Sequence, residues 1–463
     1  QEKDRFINKW FIESKNLQTI VGVLVENIIK ELDIEASSEF KRLEFDPEAY
    51  ELYLQAKSIY ALSSSQDDNL KAINMMDKAI LKDENLVMAQ IYMGTMQDEQ
   101  GNYEEASRYY SKALTKGKIL QDNATIAEAL RKQGTLLRKN KEFDKAVAKF
   151  SEALSISTIL NDKSSMAKTL NSVAISYYRS GDKDNALKNW LQALSIAEEL
   201  GDKSAISKRL NNIGIWYWKD QDYSKSIEYY QKSIAIKQEL GDVRNIGKTY
   251  NNLGKIYFSM GDFRNAVLQY NKSIETKKEL GDNKGLHSSI FNKGQAYFYL
   301  DEFDKSIYEF RQSMELQNSD FHMNEKYRYI GMCHYYLENY DSSTVYLSRS
   351  YRFFKEDSIK LLSIIPFQML SDLKNKNKTN IDMKIKTFEK IALKKDPLPA
   401  DYVLTNWAMY EVLVGLGNYS SASSYLENAY FEIKSRSKNI RDKKDRNQYM
   451  QTNLHKKIAT AWA

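Results

Sequence analysis

The stretch "KRLNNIGIWYWKDQDYSKSIEYYQKSIAIKQELGD", Lys208–Asp242, decides the fold because it is not written once. Forty residues later the chain reads "KTYNNLGKIYFSMGDFRNAVLQYNKSIETKKELGD", Lys248–Asp282, and forty residues earlier "KTLNSVAISYYRSGDKDNALKNWLQALSIAEELGD", Lys168–Asp202. Self-similarity at a fixed period marks an array of supersecondary units. Within the unit, Leu210, Gly214 and Tyr217 fall at i, i+4, i+7 on one helix. After "KDQD", Ser226, Tyr230 and Ser233 repeat that spacing on a second. Prolines stand only at 47, 366, 397 and 399, so none interrupts the helices between the first two.

The constant small residues have a packing reason. Gly214, Gly254 and Gly294, with Ala174 in the earlier unit, sit mid-helix. There Gly costs roughly 1 kcal/mol against Ala, so its recurrence predicts a neighbouring helix too close to admit a side chain. Twelve residues on, Ala186, Ser226, Ala266 and Ser306 are the matching small contacts. Trp190, Tyr230, Tyr270 and Phe310 follow as large fillers, then Ala193, Ser233, Ser273 and Ser313 as small ones. "LGD" at 200–202, 240–242 and 280–282 places Gly at a left-handed helix end and Asp as the next N-cap, and "LND" at 160–162 substitutes the tolerant Asn.

These residues resemble the tetratricopeptide repeat: Gly or Ala at the eighth position, Tyr at the eleventh, Ala at the twentieth, an aromatic at the twenty-fourth and Ala at the twenty-seventh. Second helices centre near Met76, Tyr110, Phe150, Trp190, Tyr230, Tyr270, Phe310, Leu347 and Leu426. The first spacing is the usual one for this repeat; the next several have the longer spacing found in kinesin light chains. The resemblance implies an all-α helix-turn-helix solenoid over 47–434, about ten helix pairs with 358–395 degenerate, closed by a capping helix at 435–463. Residues 1–46 do not fit the repeat. "NKWFIESKNLQTIVGVLVENIIKELDI" reads as an amphipathic helix over Lys15–Leu32, and with "PEAYELYLQAKSIY" it resembles the junction where a TolB-like (FlgO-like) domain passes into such repeats in bacterial signalling proteins. That resemblance implies an upstream nucleotide cyclase, Ser/Thr kinase or DNA-binding domain. The first residue is Gln, which fits a chain that begins inside a longer polypeptide or has been trimmed.

Composition bounds the chemistry. A net charge of +6 over 463 residues permits acidic partners without demanding nucleic acid, since acids are intermixed with the bases. A lone cysteine, Cys333, excludes an intrachain disulfide framework and fits a reducing cytoplasm. The apolar run Ile20–Val25 is far short of the about 20 residues a membrane span needs. No phosphate-binding loop, dinucleotide fingerprint or H-E-x-x-H is written in the sequence, so no catalytic residue, cofactor or metal is expected. Cys333 and His334 are adjacent on a helix and point about 100° apart, which suits packing better than a nucleophile and its base.

The expected function is therefore binding. On the first helices, Lys168, Ser172 and Arg179, then Lys208, Asn212 and Lys219, then Lys248, Asn252 and Lys255, and then Asn292 and Gln295 form stripes at helical spacing. Beside them run Asn171, Asn211 and Asn251, and the aromatics Tyr178, Trp218, Phe258 and Phe298. In related repeats these positions line a groove in which Asn holds an extended peptide by its backbone amides. Lys and Arg would select carboxylates there, and the aromatics would supply apolar contact. The expected partner is an acidic protein or peptide segment, in cis or in trans. The alternatives left open are a generic polar surface and the regulatory arm of a larger bacterial signalling enzyme. The basic closing stretch Arg441–Trp462 reads as a solvated cap face or as a binding patch.

Overall fold

The computed structural model describes residues 45–62, 65–316, 320–354, 358–393 and 401–463. The expected N-terminal helix thus lies outside the described residues, which hold helices and no strand. The chain divides into two compact units, 1–129 and 130–463.

In the first unit, α1 (Pro47–Leu62) packs on α2 (Gln66–Lys82), and α3 (Val87–Glu99) on α4 (Tyr103–Leu120). Ala49, Ala56, Ala72, Met76, Ala79 and Met93 fill their core. Helix α5 (Asn123–Lys139) crosses the boundary between the units.

The second unit continues as helix pairs: α6 (Phe143–Ile159), α7 (Lys163–Ser180) with α8 (Lys183–Glu199), α9 (Lys203–Lys219) with α10 (Tyr223–Glu239), and α11 (Val243–Ser259) with α12 (Phe263–Glu279). Then come α13 (Asn283–Tyr299) with α14 (Phe303–Glu315), and α15 (Asp320–Tyr336) with α16 (Tyr340–Phe353). The degenerate stretch holds a one-turn α17 (Ser358–Leu361), α18 (Ile365–Lys374), opened by Pro366, and α19 (Ile381–Ala392). The chain ends in α20 (Tyr402–Gly415), α21 (Tyr419–Asn439), α22 (Lys443–Met450) and α23 (Asn453–Trp462).

The caps follow the sequence signals. Gly201, Gly241 and Gly281 have φ of 63°, 62° and 65°, and Asn161 has 51°. Asp162, Asp202, Asp242 and Asp282 each accept a bond from the backbone N–H three residues on, satisfying a helix donor that would otherwise lack a partner. The mid-helix glycines meet the large residue of the second helix rather than a small one. A Cβ on Gly254 would stand 2.5 Å from Tyr270 Cε1, one on Gly214 2.9 Å from Tyr230 Cδ2, and one on Gly294 2.9 Å from Phe310 Cε1. The small serines do more than make room. Ser226 and Ser306 donate to the carbonyls of Gly214 and Gly294 at 2.7 and 2.8 Å, and Ser233, Ser273 and Ser313 to those of Ser207, Gly247 and His287 at 2.7, 2.7 and 2.9 Å. Trp216 packs between repeats, its Nε1 donating to the Lys183 carbonyl at 2.8 Å.

The closing segment forms two helices where one was expected. Thr452 is extended and caps α23 by accepting from the His455 N–H, which ends the preceding helix at Met450. Helix α20 is apolar nearly all round and accordingly buried, with Val403, Leu404, Trp407, Met409 and Val412 in the core.

Two outcomes follow. Gly254→Ala should lower stability by about 2 kcal/mol, because Tyr270 is fully buried and its ring has no room to yield; thermal unfolding reads this, and an unchanged midpoint contradicts the contact. Glu411 on α20 has a buried Oε2 without a hydrogen-bond partner among the described residues, and burial pushes its carboxyl up to about 7 against the pull of Lys457 and Lys374. Below its ordinary value of 4.5 the group is protonated in both states; as pH rises from there through about 7, the folded state alone keeps the proton and stability falls by roughly 3 kcal/mol. Glu411→Gln should therefore raise the melting temperature at pH 8 and leave it unchanged at pH 4.

Candidate functional site

Each first helix of the second unit offers one face at which the sequence-nominated residues converge, and the structure divides that face into two ends. At the N-terminal ends, Lys168, Lys208 and Lys248 stand exposed, one per repeat. None of the three forms an ion pair among the described residues. Behind them, Lys237 and Lys277 are buried at the C-terminal ends of α10 and α12. Lys237 Nζ donates to Thr249 Oγ1 at 2.6 Å, and Lys277 Nζ to Ser289 Oγ at 2.7 Å and to the Gly285 carbonyl at 3.0 Å. Burial pushes both lysines down to about 8; Asp242 and Asp282 oppose that shift, while Lys208 adds to it at Lys237 and Lys255 and Lys248 at Lys277. Lys255, half-buried at mid-helix, is lowered by burial and by Lys219. At this end of the array the lysines repel one another, and the capping Asp242 and Asp282 offset part of that repulsion.

The asparagines are largely spent within the array. Asn212 Nδ2 donates to Asn171 Oδ1 and Asn292 Nδ2 to Asn251 Oδ1, both at 3.1 Å, stapling α9 to α7 and α13 to α11, each a pair of consecutive first helices. Ser289 Oγ also donates to Asn251 at 3.1 Å. Asn211 and Asn252 are half-buried. Three nominated residues are corrected. Ser172 is buried and donates to the Lys168 carbonyl of its own helix at 3.1 Å; Asn251 is buried in the staple. Phe298 lies in the core against Phe303, Tyr329 and Tyr336, because the later repeats present aromatic rings where the earlier ones present polar groups.

At the C-terminal ends of the first helices the chain covers itself. Asp445 accepts from Ser224 Oγ at 3.3 Å, Arg441 pairs with Asp220, and Asn453 Nδ2 donates to Asp301 Oδ2 at 3.0 Å. A Cβ on Gly261 would strike Thr452. The closing helices thus run along the turns inside three successive pairs. Trp218 packs on the cluster that Ile440 and Tyr449 join, its Nε1 donating to Ser259 Oγ at 3.2 Å while Lys219 Nζ sits 4.9 Å from its ring centroid. Tyr178 leans on Trp190 at 5.6 Å, and Arg179 is exposed.

Between these closing helices and the face lies a cavity of about 850 Å³, bounded by Phe258, Asn292, Gln295, Tyr299, Arg328 and His455 among others. Arg328 is buried against Asp401 at 2.6 Å and Glu325 at 3.0 Å. Burial opposes the Glu325 charge, but Arg328 and Lys360 overcome it and hold that carboxyl below its ordinary range. Burial pushes His455 down to about 4, so its ring is neutral at pH 7, with Nδ1 donating to the Tyr449 carbonyl at 2.7 Å. Tyr299, Arg328, Asp401 and Tyr449 carry no sequence signal for this role, because the elements that bring them together are far apart in the chain.

The Cys333 thiol is buried, bonded to Ser306 Oγ at 3.4 Å and pushed up to about 12, while His334 stacks on Tyr346 at 5.4 Å. Both are packing residues. Among the described residues, no group of three or more His, Cys, Asp or Glu could hold a metal, and no helix is long and apolar enough to cross a membrane.

A family model described as tetratricopeptide repeat matches residues 125–199, 165–239 and 205–279. Among solved structures, the chain is similar to a Signal Transduction ATPase with Numerous Domains protein with a tetratricopeptide repeat sensor from Pyrococcus horikoshii, at 15% identity and TM-score 0.59, over 77% of this chain and 54% of that one. The chain therefore spans about half the length of that ATPase. It is also similar to the apo form of RapI, at 16% identity and TM-score 0.50, over 59% of this chain and 98% of that one. Likeness at these identities is likeness of fold. No curated protein matches the sequence. With the glycine–aromatic contacts, the Asp caps and the family match in one register, residues 125–279 are tetratricopeptide repeats, and the flanking helices continue the same paired architecture.

Proposed function

We propose that this chain is a non-catalytic scaffold that holds an acidic, extended segment of a partner protein along the row Lys168–Lys208–Lys248. The repeat fold itself is a protein-interaction scaffold. What supports the finer reading is that row: one exposed lysine per repeat, without a carboxylate partner among the described residues, backed by two buried lysines that repel it. Concentrating cations in this way is unfavourable for the free chain, and a partner's carboxylates would relieve it. The aromatic end of the face is occupied by the closing helices, so the segment runs along the N-terminal ends of α7, α9 and α11. Nucleic acid is a poorer fit, because carboxylates such as Glu199 and Glu239 interrupt the surface beside Lys163 and Lys203.

A second reading makes the array the regulatory arm of a larger bacterial signalling enzyme, a cyclase or a Ser/Thr kinase. It is supported by the likeness of residues 10–94 to the junction after a TolB-like domain. The intact mass of the native protein separates the two: a mass near 53.9 kDa fits a stand-alone adaptor, and a much larger one fits the arm. A cytoplasmic setting belongs to both readings, resting on the single buried thiol.

Lys208→Glu with Lys248→Glu should weaken binding of a Glu-rich twelve-residue peptide at least tenfold at 50 mM salt, measured by fluorescence anisotropy. Unchanged affinity overturns the proposal. Because Lys237 and Lys277 lose their protons near pH 8, raising the pH from 7 to 9.5 should weaken the same complex. Binding above pH 8 should take up protons, which calorimetry in buffers of different ionisation enthalpy would detect.

A further inference from the structure

We infer that a small cleft at the cationic edge, between α7 and α9, is a binding site for a phosphoryl group. The cleft has a volume of about 140 Å³ and is lined by Lys168, Lys208, Arg209, Ser164, Ser204 and Asp202 among others. Its unusual member is Arg209. The array places a hydroxyl at this register in other repeats: Thr169, Thr249 and Ser289, all buried. Here a guanidinium takes the place, only 6% exposed. Its Nη2 donates to the Ala167 carbonyl at 3.1 Å, and its Nε is buried with no partner. Among the described residues no carboxylate forms an ion pair with it. A lysine so placed can shed its proton, as Lys237 and Lys277 tend to do; a guanidinium cannot. Burial weighs against its charge, and Asp202 counters that through space without forming an ion pair among the described residues, so this site calls for a further anion.

The lining specifies which kind. Three cationic side chains face one carboxylate, that of Asp202, whose Oδ1 already accepts from the Ala205 N–H at 2.8 Å. Two serine hydroxyls complete the donor set. A guanidinium fork, two ammonium groups and two hydroxyls match the charge and the tetrahedral acceptors of a phosphoryl dianion better than the single planar charge of a carboxylate. At about 30 Å³ per water, the space holds such a group with little besides. The site shares Lys168 and Lys208 with the acidic-segment reading, rests on it for the source of the ligand, and names one of the negative groups. A phosphorylated residue of the segment and free inorganic phosphate offer the same chemistry.

The test is calorimetric titration of the full chain at fixed ionic strength with three probes: inorganic phosphate, a Glu-rich peptide, and the same peptide carrying one phosphoserine. Saturable phosphate binding at one site is expected, weakened at least tenfold by Arg209→Met and by the exposed pair Lys168→Ala with Lys208→Ala, which leaves the core intact if Arg209→Met does not fold. Tighter binding of the phosphoserine peptide than of phosphate identifies a segment as the source; equal affinity identifies free phosphate. If phosphate shows no saturable binding, or if Lys168→Ala with Lys208→Ala binds it as tightly as the native chain, the inference is overturned. The plain peptide reports separately. Its binding without that of phosphate leaves the acidic-segment reading standing alone, and the reverse leaves only the phosphoryl site.

Discussion

The rest of the structure depends on one contact, the aromatic ring of each second helix pressed onto the backbone of its first helix at a glycine. Gly94 meets Tyr110, Gly134 meets Phe150, Gly214 meets Tyr230, Gly254 meets Tyr270 and Gly294 meets Phe310. Removing the Cβ forfeits helix propensity but lets two helices approach until a ring fills the space between them. The second helix is then held by serine hydroxyls reaching first-helix carbonyls twelve and twenty-six residues back. Ala174 stands opposite Trp190 and Gly331 opposite Leu347, so the constraint is one of matched volume rather than of glycine itself.

Repetition of that contact fixes where every other residue of the unit points. A residue six before the glycine falls at the same end of each first helix, which is why Lys208 and Lys248 align with Lys168, six before Ala174. A residue four after it falls at the other end, which is why Trp218 packs on the closing helices and Phe258 lines the cavity beneath them. The two ends differ in kind: one carries the exposed Lys168, Lys208 and Lys248, which form no ion pair among the described residues, and the other is overlaid by the closing helices through Arg441, Asp445, Thr452 and Asn453, with the cavity between. In the reading proposed above, the closing helices leave the charged end as the part of the face that a partner segment uses.

The repeat was legible because its signals are local. The Asp caps at 202, 242 and 282, the left-handed glycines before them and the small–large–small code lie within one unit and recur in phase. The return of the closing helices was not, because Ser224 and Asp445 are separated by 221 residues and Asp301 and Asn453 by 152, and no periodicity links them. The asparagines show a different failure. Their type and register suited a peptide backbone, yet Asn171 and Asn212 satisfy one another, since the same donor and acceptor that fit a peptide fit the amide of the next repeat. Arg209 carries no signal in the sequence, because it lies one position beside the stripe that helical spacing selects, and only its burial gives it meaning.

Hydrogen exchange read by mass spectrometry, with and without a bound Glu-rich peptide, tests the central claim most directly, because it reports which end of the face is used. The account predicts slowed exchange in the N-terminal halves of α7, α9 and α11 and none in α22 or α23. Slowed exchange confined to residues 216–223 and 440–455, the covered end, would contradict it.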